Sequence, residues 1–106
     1  ATPVQRVFPI SGQDVPPDVV FEWVAYPGAD SYRFSLKNHG KDGSDFGSDP
    51  FILFRPRLRG TTTTALLAGY APAPDFQYSW DVKAYDAEGE LLSETPEMYE
   101  PLFRVK

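Results

Sequence analysis

Proline and glycine punctuate this chain from end to end, eleven of one and eight of the other in 106 residues. A proline inside a helix removes a backbone donor and clashes with the preceding turn, and a glycine weakens the helix further. No stretch is left that could carry a long amphipathic helix. What remains between the breaks alternates. Val19, Phe21, Trp23 and Ala25 point one way while Val20, Glu22 and Val24 point the other. Tyr32, Phe34 and Leu36 stand against Arg33, Ser35 and Lys37, and Phe76, Tyr78, Trp80, Val82 and Ala84 share a face opposite Gln77, Ser79, Asp81, Lys83 and Tyr85. Period two marks a strand with one buried and one wet face. These segments are the expected central strands of an all-β fold.

The remaining strands are predicted from composition and turn chemistry. Val4 to Phe8, bounded by Pro3 and Pro9, reads as an edge strand. Tyr26-Pro27-Gly28-Ala29-Asp30 suits a type II turn, with proline at its second position and at its third a glycine free to take φ > 0. The strands it joins need not pair. Asp86-Ala87-Glu88-Gly89-Glu90 is a short turn leading into Leu91-Leu92-Ser93. Past Pro96 the chain reaches Leu102 to Val105, and the whole reads as a hairpin whose last strand is broken by Pro96 and Pro101, expected at a sheet edge since proline cannot donate to a ladder. Phe51 to Arg59 and Thr61 to Leu67 are rich in strand formers. The total is about seven strands at the spacing of a sandwich, ~8 to 12 residues. The expected fold is a two-sheet antiparallel β-sandwich forming one domain over residues 1–106.

Composition narrows the function classes. A hydrophobic fraction of 42% with 24% charged residues is that of a chain that folds. The longest apolar run, Phe51-Ile52-Leu53-Phe54, is cut by Arg55, far short of the ~18 residues a membrane-spanning helix needs. A net charge of −5 disfavours DNA and RNA, whose binding needs clustered Lys and Arg. With no cysteine there is no disulfide, thiolate nucleophile or cysteine metal site.

Several stretches resemble the fibronectin type III-like group of immunoglobulin-like sandwiches. They are Val7-Phe8-Pro9-Ile10-Ser11-Gly12, Phe21-Glu22-Trp23 and Pro27-Gly28-Ala29-Asp30-Ser31-Tyr32-Arg33-Phe34, the last like the entry to the third strand in many bacterial members. Tyr78 to Gly89 is similar to the family's sixth strand, and Phe103-Arg104-Val105 to its closing strand. The stretch from Asn38 to Gly60 is longer and richer in glycine, aspartate and arginine than in a minimal member. The resemblance implies that Trp23 and Trp80 fill the gap between sheets, that Tyr78 is a tyrosine corner bonded back to the main chain, and that the domain belongs to a bacterial surface or secreted protein. Phe21, Trp23, Tyr32, Phe34, Leu36, Tyr78, Trp80, Val82 and Phe103 form the expected core.

The inventory for catalysis is short. The single histidine, His39, stands beside Gly40 and is expected to be an exposed loop residue, and no serine lies in a nucleophile-elbow context. The chain is therefore expected not to be an enzyme and to need no cofactor. Asp42, Asp45 and Asp49 in the Asn38–Pro50 loop are candidate calcium ligands, being hard oxygen donors among glycines, although their spacing is not that of an EF-hand and Lys41 adjoins them. A plain solvated turn has the same composition. Phe46, an apolar ring in that loop, either tucks onto the sandwich or meets a partner. Arg55, Arg57 and Arg59 recur at period two and would form a basic row, able to dock a carboxylate-rich surface, an acidic polysaccharide or a second copy, or to guard an edge strand. Tyr85 is a candidate surface ring for a glycan. Asn38, the one asparagine, lacks a following Ser or Thr and so is no glycosylation acceptor. The expectation is a non-catalytic extracellular module acting as spacer, adhesion or assembly unit through other protein domains or copies of itself. The alternatives are a carbohydrate-binding module, with or without calcium, and a self-assembling filament subunit.

Overall fold

The computed structural model describes residues 2–44, 51–54, 60–63, 72–98 and 100–106, the stretch 51–54 as backbone. These residues form strands β1 (Arg6–Phe8), β2 (Gln13–Val15), β3 (Phe21–Trp23), β4 (Ser31–Asn38), β5 (Phe51–Phe54), β6 (Thr62–Thr63), β7 (Gln77–Tyr85), β8 (Leu91–Glu94) and β9 (Phe103–Val105), and no helix. A three-stranded sheet has the order β1-β3-β6, and a six-stranded sheet the order β2-β9-β7-β4-β5 with β8 also paired to β7.

The alternation of the sequence becomes the two faces of the larger sheet. β4 and β7 run antiparallel from Ser31 opposite Tyr85 to Asn38 opposite Tyr78. Tyr32, Phe34 and Leu36 thereby meet Ala84, Val82 and Trp80 on the inner face, and all six are buried. From the smaller sheet, β3 brings Phe21 and Trp23 into the same core. The Phe21 ring centroid lies 4.8 Å from that of Phe34, 5.4 Å from Trp80 and 5.7 Å from Phe103, while Trp23 lies 5.4 Å from Tyr32 and 6.2 Å from Trp80. Tilted and edge-on rings at these distances attract beyond the area they bury. The two sheets are thus layers around one aromatic core. Tyr78, Val82 and Phe103 complete it, Tyr78 with its hydroxyl accepting a hydrogen bond of 2.8 Å from the Ala73 N–H upstream.

The structure corrects the sequence reading in several places. Ala25 is exposed, because β3 ends at Trp23 and the chain enters the Tyr26–Ala29 turn, where Ala29 N–H donates to Tyr26 C=O and Gly28 has φ +84. The larger sheet is mixed, since β2 runs parallel to β9. The N-terminal segment contributes twice, β1 to one sheet and β2 to the other. The last strand is interior: β9 lies between β2 and β7. β8 and β9 share one flank of β7, pairing with residues 83–85 and 77–78. The prolines at 96 and 101 lie between these two pieces, and Thr95 marks the division. Its N–H donates to Val82 C=O and its hydroxyl oxygen accepts from Val82 N–H, a side chain standing in for the ladder carbonyl just before Pro96. Dividing runs in this way accounts for strands beyond the expected number. Of the middle segments, Phe51–Phe54 pairs with β4 and Thr62–Thr63 with β3. Residues 55–59 and 64–71 lie outside the described residues.

Candidate functional site

The outer face of the six-stranded sheet carries the densest charge among the described residues. β4 presents Arg33, Ser35 and Lys37, which stand opposite Lys83, Asp81 and Ser79 of β7. With Glu94 on β8 and Glu97 beyond it, these side chains line an open groove of about 320 Å³. Arg6, Arg33, Lys37 and Lys83, four of the chain's ten Lys and Arg residues, converge on this face of an otherwise acidic protein.

Asp81 is the hub. Its Oδ1 accepts a hydrogen bond of 2.7 Å from Arg6 Nη2, and Lys37 Nζ lies 3.2 Å from Oδ2, a charge contact without a well-formed hydrogen bond. Arg6 comes from β1 in the other sheet and fastens the two layers at their margin. Its Nε donates to Trp80 C=O, its Nη2 also donates to Pro96 C=O, and the guanidinium lies 5.8 Å from the Trp80 ring centroid. Burial pushes the Arg6 guanidinium below its ordinary value, against the opposing pull of the Asp81 carboxylate. Arginine remains charged at any ordinary pH.

Arg33 and Lys83 behave differently. They face each other in register across the β4–β7 ladder, both half-buried, and neither makes an ion pair or side-chain hydrogen bond with a described residue. Glu94 lies opposite Lys83 on its other flank.

The candidates read from the sequence are dispersed. Asp42 is exposed, and its Oδ1 accepts from the Ser44 hydroxyl at 2.7 Å and the Ser44 N–H at 3.0 Å, which together hold its carboxyl below the usual range, the hydroxyl contributing most. Asp45, Asp49, Phe46, Arg55, Arg57 and Arg59 lie outside the described residues. Among the described residues no three His, Cys, Asp or Glu side chains cluster to hold a metal ion. Tyr85 is half-buried at the end of β7, in register with Ser31 and Leu91.

His39 is not an exposed loop residue. It is fully buried, with Nε2 2.6 Å from Ser79 Oγ. The reason is that the ladder continues past β4: His39 N–H donates to Gln77 C=O, and Gln77 N–H to Gly40 C=O. The residue that looked like the start of a loop is still held in the sheet. It shares the parity of Arg33, Ser35 and Lys37 on the wet face, so the alternation held no signal of its burial. Arg33 and Lys83 were visible only as wet positions, because their juxtaposition depends on a register that two separate strands do not reveal.

The three-stranded sheet exposes more large apolar side chains, set around Glu22 of β3. Val20 and Val24 flank β3 at 54% and 47% exposure, Phe8 of β1 is in register with Glu22, and Val7 and Ile10 are also exposed. Thr2, Pro3, Gln5 and Val24 to Pro27 border a groove of about 370 Å³ at the end of this sheet. Comparison with protein-family models, with curated proteins and with solved structures found no match.

Proposed function

We propose that the chain is a non-catalytic β-sandwich module that works through protein contacts, as a spacer, adhesion or assembly unit. The observation that carries this reading is the exposure of Val7, Phe8, Ile10, Val20 and Val24 in and beside β1 and β3, around the exposed Glu22: these large side chains are not used by core packing. An exposed apolar patch on a small domain marks a surface that meets another protein. The large aromatics that might have formed a sugar-stacking platform, Trp23 and Trp80, are committed to the core. The fibronectin type III-like resemblance belongs to the same proposal. It is supported by the sequence pattern, by the division of the N-terminal segment between two sheets, and by the Tyr78 hydroxyl bonded to the Ala73 N–H. The location outside a bacterial cell follows from that resemblance.

Titration calorimetry of the whole chain against calcium chloride and a glycan panel tests the reading. No saturable heat is expected from either. A saturable response abolished by Asp45→Ala or Tyr85→Ala would replace it with a carbohydrate-binding module, calcium-dependent in the first case.

A further inference from the structure

The groove on the outer face of the six-stranded sheet sets two cations opposite each other, with Glu94 in register with Lys83 on its far flank and no carboxylate in register with Arg33 on its own. Arg33 and Lys83 stand directly opposite each other across the β4–β7 ladder and both line the groove, with Ser35 beside them. Like charges opposed on one face of a ladder repel. The chain has 15 acidic residues with which to separate them. It sets Arg6 and Lys37 against Asp81, yet leaves Arg33 and Lys83 without an ion pair to any described residue. Both residues are half-buried and line the groove.

The geometry points to a carboxylate-binding site, in which an acidic side chain of a partner protein's segment is seated between the Arg33 guanidinium and the Lys83 ammonium with the Ser35 hydroxyl as a further donor. Guanidinium binds carboxylate through paired N–H donors, and a second cation opposite completes the cradle. The inference rests on reading the domain as a protein-contact module and names the chemistry of its partner. Asp81, Glu94 and Glu97 line the same groove, so one acidic group is accepted while a closely spaced row, as in a polyuronate, is repelled. Among the described side chains that line the groove none is aromatic.

The test is an amide-resonance titration of the whole chain with the capped peptide acetyl-Gly-Glu-Gly-amide at low ionic strength. Saturable shifts are expected at Arg33, Ser35 and Lys83, absent with the Gln peptide and weakened by salt. Arg33→Gln and Lys83→Gln should each weaken binding about tenfold, and Arg33→Lys by less. Arg33→Gln relieves the repulsion without removing a charge that faces a carboxylate in register, so its thermal midpoint stays level or rises, which separates lost binding from lost fold. Equal shifts with the Gln peptide, or no saturable shift at all, would overturn the site. Digalacturonate moving the same amides at lower concentration would overturn the choice of partner. A null result with the peptide leaves the protein-contact reading, tested by the calcium and glycan calorimetry, untouched.

Discussion

Trp23 and Trp80 lie 6.2 Å apart in the same core, yet their indole nitrogens have different fates. Trp80 Nε1–H donates to Pro9 C=O at 2.8 Å, whereas Trp23 Nε1–H is buried without a protein acceptor. An unmade bond in the interior forfeits the hydration that group had in the unfolded chain. Truncation to alanine at either position should cost about 3 to 5 kcal/mol. The phenylalanine variants divide them: in denaturant unfolding, Trp80→Phe is expected to cost about 1 kcal/mol more than Trp23→Phe, because only the former breaks a hydrogen bond and leaves the Pro9 carbonyl unpaired. At the surface, the Asp42 carboxyl is held below its ordinary value by Ser44. Ionised Asp42 therefore adds stability that is present above the unfolded carboxyl's value and lost as the pH falls through the lower folded one. Carboxyl NMR should show Asp42 titrating low, and Ser44→Ala should return it toward the ordinary range. An unchanged titration in that variant would show that the Ser44 hydroxyl is not the cause.

Between residues and sheets, the turns decide where each strand goes. The Tyr26–Ala29 turn carries the chain from β3 in the three-stranded sheet to β4 in the six-stranded one, and Gly28 occupies φ +84 at its third position. A Cβ there would meet only Leu92 Cδ1, at 3.8 Å, so the barrier to substitution is backbone strain rather than space. Gly28→Ala should cost about 1 to 2 kcal/mol, read as a lowered denaturation midpoint with unchanged denaturant dependence. A neutral outcome would mean that the turn relaxes to another type. At the same end of the sheet, just past Tyr85, Asp86 accepts from the Glu88 and Glu90 N–H groups and closes the turn into β8. The alternation of β4 and β7 predicted these strands. The prolines were read as breaking the last strand at a sheet edge; they do separate β8 from β9, but β2 covers the flank of β9 that would have been open.

For the molecule as a whole, the consequence of a shared core is cooperativity. Phe21 and Trp23 from one sheet contact Phe34, Tyr32, Trp80 and Phe103 from the other, so neither layer buries its apolar face alone. Thermal unfolding followed by near-ultraviolet dichroism, which reports the tryptophans, should coincide with that followed in the far ultraviolet. Separate midpoints would show the sheets melting independently. The two outer faces are unalike: one sheet shows valine, isoleucine and phenylalanine to solvent, the other arginine, lysine and carboxylates. Much of this was legible in the linear chain, because pleating is local and a period of two assigns Trp80 inward and Asp81 outward without reference to any other strand. Turn chemistry is equally local, as Pro27-Gly28 illustrates. Pairing is not local. That β2 runs parallel to β9, that His39 is buried against Ser79, and that Arg33 confronts Lys83 all depend on register between segments tens of residues apart, which only the packing of the whole chain sets.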